Sequence, residues 1–299
     1  MSRVVLIFID GLGIGNNDPL INPCSNKECR ILNNFLDSAC QSKPFDGIVL
    51  PLDASLGVPG LPQSATGQTA LLTGVNAAQL LNRHLQGFPN QTLREIIRRE
   101  SLLKKLSDRG KRVAFINAYP PIYFRLGPEK LQRHLSVTSI ATLAADFKFF
   151  NFDDVLHGRS IYQEFTNRTL QDKYPNLPIF TPQKAGSILA SASRRFDFSL
   201  YEYFQTDRAG HSQNMELAYT EIMKLEQFIE AFFKGTDLSG TTVILTSDHG
   251  NIEDLSVRSH TMNPAMTVIW GEGKAQIASR LKTILDITPV ILDYFAGKI

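Results

Sequence analysis

A carboxylate and an imidazole stand side by side at the end of an apolar run, Thr241-Thr242-Val243-Ile244-Leu245-Thr246-Ser247-Asp248-His249-Gly250-Asn251. An Asp–His pair is a ligand set suited to zinc or manganese. A second acid, Asp10, closes the run Arg3-Val4-Val5-Leu6-Ile7-Phe8-Ile9 and is followed by Gly11-Leu12-Gly13-Ile14-Gly15. A third, Asp207, follows an apolar run from Phe196 to Gln205, and His211 comes four residues later. In a helical turn that spacing puts both side chains on one face. His260 lies further on, in Ser259-His260-Thr261. Asp and Gly are ordinary strand-end residues taken singly. Three acids at three such ends, accompanied by three of the chain's six histidines, form a set that chance placement does not readily give. Six ligands suit two divalent ions. Two ions about 4 Å apart can clamp the attacking and leaving oxygens of an in-line displacement at phosphorus, and they lower the pKa of a hydroxyl or water nucleophile.

Ser64 belongs to a proline-bounded loop that feeds a small-residue helix, Pro59-Gly60-Leu61-Pro62-Gln63-Ser64-Ala65-Thr66-Gly67-Gln68-Thr69-Ala70-Leu71-Leu72-Thr73-Gly74. From this segment alone Ser64 reads as an N-cap before it reads as a nucleophile, because serine is favoured at caps. The helix start still has a chemical use, since its N–H groups and dipole attract phosphate, and Gly67 lets backbone approach a ligand closely. A dinucleotide reading of Gly11, Gly13 and Gly15 is weak. The third glycine arrives too early for G-x-G-x-x-G, and an acid caps the strand.

The elements that must position these residues follow from the apolar pattern. Arg3 to Asp10 reads as a first strand, Phe45 to Leu52 as a second, Arg112 to Asn117 as a third, Phe196 to Gln205 as an interior strand and Ala265 to Trp270 as the last. Helices are expected from Gln91 to Gly110, Pro182 to Arg195 and Glu216 to Phe233, with a helical patch near Ile31 to Ala39 inside a polar surface excursion, residues 16–44. Strand–helix alternation of this kind predicts an α/β fold in which the acids collect at the carboxyl edge of a sheet, where ligands bind in open α/β folds. The alternation lapses from about Tyr119 to Thr181. That stretch reads as an inserted cap, residues 119–181, on a discontinuous core of residues 1–118 and 182–299. Arg125, Lys130, Arg133, Arg159 and Arg168 in it are candidates to reach a substrate's anionic end, although no one of them can be singled out.

Composition excludes several classes. With 43% hydrophobic and 20% charged residues and a formal charge of +2, the chain has no electrostatic signature for nucleic acid. No apolar run reaches membrane-spanning length, and the N-terminal run reads as a strand rather than a signal peptide. Cys24, Cys29 and Cys40, an odd count, suit reduced thiols in a cytoplasm; their spacing matches no standard zinc pattern.

The motifs FIDGLG, PQSATGQTALLTG, TDRAGH, TSDHGN and SHT, in this order, resemble those of the alkaline phosphatase superfamily. Within it they look most like the metalloenzyme branch that holds cofactor-independent phosphoglycerate mutase and phosphopentomutase. The resemblance covers about residues 1 to 117 and 196 to 299. It implies a mostly parallel central sheet with helices on both faces. It implies two divalent ions, manganese or zinc, one held by Asp10, Ser64, Asp248 and His249 and the other by Asp207, His211 and His260. It also puts Ser64 at the nucleophile position, three residues before Gly67. Two features depart from the mutases: their Gly-His is Gly67-Gln68 here, and the insertion is short beside their caps. Sulfatases need Cys- or Ser-x-Pro-x-Arg at the nucleophile, which this chain lacks. The expectation is a phosphoryl-transfer enzyme acting on a small phosphorylated metabolite through phosphoserine, leaning to a phosphomonoester hydrolase. Phosphomutase, phosphodiesterase and a non-catalytic phosphometabolite-binding protein are the alternatives.

Overall fold

Strand β1, Arg3–Ile9, sends Val5, Ile7 and Ile9 into one core and Val4, Leu6 and Phe8 into another. Both faces of the strand are dry, so its sequence is continuously apolar rather than alternating. The computed structural model describes residues 3–36, 43–126, 130–131 and 134–299. Along it follow β2 (Ile48–Leu52), α1 (Ser64–Thr73), α2 (Ala77–Leu81), α3 (Gln91–Glu100), α4 (Leu102–Asp108), β3 (Val113–Phe115), β4 (Ala118–Tyr119) and α5 (Pro121–Arg125). Next come α6 (Val137–Ala144), β5 (Phe150–Asn151), α7 (Phe152–Leu156), α8 (Pro182–Ser193), β6 (Phe198–Tyr203) and α9 (Gln205–Ser212). The chain closes with α10 (Met215–Lys234), β7 (Thr241–Thr246), β8 (Ala265–Gly271), α11 (Lys274–Ala278) and α12 (Ile287–Phe295).

Six strands form one sheet in the order β2-β8-β7-β1-β6-β3. Strands β7, β1, β6 and β3 pair in parallel, and β8 runs antiparallel to both β7 and β2. The expected mostly parallel sheet is thus present, with helices on both faces. Helices α8 and α10 cover one face through residues such as Leu189 and Phe228. They touch closely, because a Cβ at Gly186 would lie 2.2 Å from the Phe228 carbonyl oxygen. Helices α1, α3, α4, α6 and α12 contribute to the core on the other face. Register decides where the chemistry collects. Ile9 lies opposite Tyr203 and Phe8 opposite Thr246, so β1, β6 and β7 end together and release Asp10, Asp207 and Asp248 on one edge.

Residues 119–181 add a two-stranded parallel pair, β4 with β5, and their apolar side chains enter both cores: Val137 and Ile140 one, Phe152 and Phe165 the other. Among the described residues no helix is long and apolar enough to cross a membrane.

Several local expectations shift. The helix expected from Gln91 to Gly110 is broken at Ser101, whose extended ψ of 144° lets α4 restart and turn Leu102, Leu103 and Leu106 to the core that α3 serves. The second strand begins only at Ile48, because Phe45 and Asp46 adopt positive φ in a 3-10 turn. No helix forms at residues 31–36, the described part of the patch expected near Ile31 to Ala39; the amides of Ile31 and Leu32 are held instead by the Glu226 carboxylate at 3.0 and 2.7 Å. Cys24 and Cys29 are buried free thiols. Cys40 and Arg133 lie outside the described residues. Helices α11 and α12, after the strand read as last, complete the core that α1 serves.

Candidate metal centre and the cavity beside it

Asp10, one residue past β1, meets Asp248 and His249, just past β7, to form a buried triad. His249 Nε2 lies 3.3 Å from Asp10 Oδ1, 3.5 Å from Asp248 Oδ2 and 3.0 Å from Ser64 Oγ. Gln68 Nε2 donates to Asp10 Oδ2 at 3.1 Å, whereas Asp10 Oδ1 and Asp248 Oδ2 accept no hydrogen bond. Burial, then the charge of Asp248, raises the Asp10 pKa well above the usual carboxylate range; burial, then the charge of Asp207, brings Asp248 up to about 7. Burial also pulls His249 down to about 3, which leaves a neutral imidazole with a free lone pair. Two orphaned, desolvated carboxylate oxygens around a neutral imidazole nitrogen and a hydroxyl are a donor set that fits a divalent cation, whose charge offsets the cost of burying the acids.

The second triad is Asp207, His211 and His260. Helix α9 puts Asp207 and His211 on one face, with His211 Nε2 at 3.4 Å from Asp207 Oδ2 and His260 Nε2 at 3.3 Å from Asp207 Oδ1. His211 Nδ1 is 2.7 Å from the Arg258 carbonyl oxygen, and His260 Nδ1 is 2.7 Å from that of Pro62. A carbonyl can only accept, so both rings carry their proton on Nδ1. The two Nε2 atoms, 3.2 Å apart, then face each other as lone pairs, an arrangement that a cation satisfies and a hydrogen bond does not. Burial opposes ionisation of Asp207, but the neighbouring His260 and the Asn251 amide outweigh it and bring its pKa to about 2. The triads adjoin: the rings of His249 and His260 stack with centroids 3.8 Å apart and planes 18° from parallel.

Ser64 is the first residue of α1, and the cap position belongs to Gln63, which makes no side-chain capping bond. The cap reading is therefore displaced, and the hydroxyl turns to His249 instead. Leu85 takes the Thr66 N–H at 3.3 Å and Gln63 that of Gly67 at 2.8 Å, so the amides of Ser64 and Ala65 are those left for an anion. A Cβ at Gly67 would sit 2.9 Å from the Asp248 carbonyl oxygen, which shows how closely α1 rests on the ligand loop.

Two supporting residues had no role in the sequence reading. Asn251 Nδ2 donates to Asp207 Oδ1 at 2.6 Å. Buried Glu253 accepts from Gly13 N (2.9 Å), Asn251 N (2.8 Å), Thr261 Oγ1 (2.5 Å) and Asn263 Nδ2 (3.1 Å), tying together the loops that follow β1 and β7 and precede β8. Its signal was present in the sequence only as an acid two residues beyond Asn251.

A cavity of about 420 Å³ opens beside Ser64, Asp10 and Gln68, lined by Phe88, Tyr119, Tyr123, Tyr162 and Phe204 together with Glu202, Asn117, His134 and Ser139. Of the cations expected to reach a substrate, Arg125, Lys130 and Arg168 are exposed and Arg159 pairs with Asp154 at 2.7 Å. None of these lines the cavity. Glu202 lies on β6, where its backbone exchanges hydrogen bonds with the Asn117 side chain, and its Oε2 accepts from Thr138 Oγ1 at 2.7 Å.

Residues 182–299 match the family described as the Metalloenzyme superfamily. Over 129 residues the chain is 26% identical to a 2,3-bisphosphoglycerate-independent phosphoglycerate mutase of Mycoplasmopsis synoviae, a match covering 41% of this chain and 25% of that protein. A protein of the same name from Desulforudis audaxviator is 27% identical over 105 residues, covering 33% and 21%. The chain thus matches about a quarter of the length of these curated relatives. Among solved structures, the PH0037 protein from Pyrococcus horikoshii shares the fold with a TM-score of 0.58 and 14% identity over 98% of this chain and 96% of that one. The alkaline phosphatase of the Antarctic bacterium TAB5 follows with 0.52 and 15%, covering 97% of each. The fold is that of alkaline phosphatase, and the sequence resembles the metalloenzyme branch of that superfamily.

Proposed function

We propose that this alkaline-phosphatase-like chain is a metal-dependent phosphoryl-transfer enzyme that hydrolyses a small phosphomonoester through a phosphoserine at Ser64. The observation that carries the reading is the position of Ser64 Oγ, 3.0 Å from His249 Nε2 at a helix start where the hydroxyl caps nothing. Asp10, Ser64, Asp248 and His249 would hold one divalent ion and Asp207, His211 and His260 a second. Manganese or zinc bound there supplies charge neutralisation at the phosphoryl group and a lowered hydroxyl pKa. Ser64 Oγ forms a bond to phosphorus as the ester P–O bond breaks, and the departing alcohol takes up a proton. Water then attacks phosphorus on the opposite side from Ser64, inorganic phosphate leaves, and the serine oxygen regains a proton. The amides of Ser64 and Ala65 orient the phosphoryl oxygens. Gln68 and Asn251 hold Asp10 and Asp207 in place through the bonds described above.

The hydrolytic lean rests on two features of the chain. A mutase must keep water from the phosphoserine while the substrate turns or exchanges, which requires a cap that closes over the site. Residues 119–181, which we read as that cap, are few for such a closure, and Gln68 stands where the mutases have histidine. The names of the curated relatives favour the mutase reading, so the test follows both products. Enzyme loaded with manganese or zinc is incubated with labelled 3-phosphoglycerate and with a sugar phosphate, and free phosphate and positional isomer are measured together. Phosphate forming faster is expected. Isomer forming faster would overturn hydrolysis and leave the phosphoserine chemistry intact, and binding without any turnover would favour a silent phosphometabolite-binding protein.

A further inference from the structure

Glu202 is only 7% exposed, lines the cavity beside Ser64, and meets no lysine or arginine among the described residues that share that wall. Buried carboxylates are ordinarily paired or bound to a cation. Here Oε2 is satisfied by Thr138 Oγ1 at 2.7 Å, and among the described residues lining the cavity no lysine or arginine balances the charge. Aromatic rings line the same cavity: Tyr119 and Tyr123, with centroids 4.5 Å apart, and Tyr162, Phe88 and Phe204. Ring faces beside a desolvated carboxylate are how proteins recognise an ammonium group. The same wall disfavours an anion, because a second phosphate or a carboxylate entering it would face Glu202 with no lysine or arginine among the described lining residues to meet it.

We infer that the cavity selects a phosphate monoester whose alcohol part carries an ammonium group, held between Glu202 and the tyrosine rings while the phosphoryl group faces Ser64. This rests on the phosphomonoesterase reading and narrows it to amino-alcohol phosphates over phosphoglycerate-like substrates. The cavity volume of about 420 Å³ suits a small ligand of that kind. Burial pushes Glu202 up to about 7, opposed by the Thr138 bond, so the carboxyl is poised to give up its proton when a cation arrives beside it.

The test uses the metal-loaded enzyme and three phosphomonoesters of similar size: ethanolamine phosphate, glycerol phosphate and 3-phosphoglycerate. Values of kcat/KM should fall in that order, with a ratio of at least about tenfold between the first and the last. Glu202→Gln keeps an acceptor for Thr138 and removes only the charge. It should shrink that ratio by about tenfold or more through KM for ethanolamine phosphate. A wild-type preference for 3-phosphoglycerate, or an equal loss on all three substrates in Glu202→Gln, would overturn the inference while leaving hydrolysis established. Absence of turnover on every ester would sink the phosphomonoesterase reading instead. Calorimetry of ethanolamine phosphate and 3-phosphoglycerate binding to metal-loaded Ser64→Ala, with and without Glu202→Gln, then decides selectivity by itself: a charge-dependent preference for the ammonium ligand upholds it, and equal affinities overturn it.

Discussion

The ligand edge and the cavity beside it share a border at Asp10 and Ser64 but are built on opposite principles. At the edge, three acids and three histidines emerge from strand ends and the loops that follow, and each charge has a charged or polar neighbour within about hydrogen-bond reach. In the cavity, one acid stands among aromatic rings with a single side-chain hydrogen bond. The edge is fixed by the sheet, whose register brings β1, β6 and β7 to a common end. The cavity is assembled from β3, β4, β6 and segments far apart in the chain. The difference separates two proposed tasks: the candidate ligands that would activate phosphorus sit together at one sheet edge, and the wall proposed to choose the alcohol combines Glu202 of β6 with aromatic rings from residues 119–162 and elsewhere.

The largest effects should come from breaking the edge while leaving the cavity whole. Ser64→Ala should lose turnover by on the order of 10³ or more, while keeping its melting temperature and the metal that Asp10, Asp248 and His249 would still hold. Asp248→Ala should lose a comparable amount together with the metal of the buried triad. Metal analysis beside steady-state rates distinguishes the two. A Ser64→Ala enzyme that turns over normally would end the phosphoserine reading.

A second experiment addresses the cavity through stability. The folded pKa of Glu202, about 7, stands above its ordinary 4.5 because the carboxyl is buried. The native state therefore holds this proton more tightly than the unfolded chain, so its stabilisation is complete below pH 4.5 and is lost as pH rises through 7. Between pH 4.5 and 8 the wild type should lose up to about 3 kcal/mol relative to Glu202→Gln, measured by denaturant unfolding at each pH. The other titratable groups around the cavity, Asp10, Tyr119, Tyr123 and His134, are common to both proteins, which is why the difference is the quantity to read. A flat difference would mean that Glu202 is compensated as fully as the acids at the edge.

A smaller effect sharpens the view of the edge as a supported structure. Asn251→Ala removes the donor at 2.6 Å from Asp207 Oδ1 and should weaken metal affinity at the second triad by about 10- to 100-fold, leaving the buried triad loaded. Competition with a metal-sensitive dye would resolve the two sites. The smallest effect is a control on Ser64. Asn90 is a true N-cap, accepting from Leu93 N at 3.0 Å, and Asn90→Ala should cost about 1 kcal/mol of stability with turnover unaltered. The opposite signature in Ser64→Ala, chemistry lost and stability kept, would separate a helix-start hydroxyl that reacts from an Asn90 side chain that caps.

By itself the sequence determined the α/β core and the candidate ligand set. An acid that ends an apolar run marks a strand end locally, and a parallel sheet puts such ends on one edge, so Asp10, Asp207 and Asp248 were legible without coordinates. His211 was legible from its helical spacing to Asp207. Ser64 was legible only through the family resemblance, because the residue types at a helix start are the same whether the hydroxyl caps the helix or turns away; the approach of His249 to α1 favours the second. Helix α3 likewise stops at Ser101 for a tertiary reason, so that α4 can pack its leucines into the core the two helices share. Glu253 and Gln68 act through contacts across 240 and 58 positions of chain. Glu202 carried no signal in the interior run from Phe196 to Gln205, whereas the basic residues of 119–181 were the candidates to reach an anion. Tertiary structure shifts that weighting, because burial removes water from Glu202 and leaves it to the exposed Arg125 and Arg168, and water is what makes a charge inexpensive and uninformative.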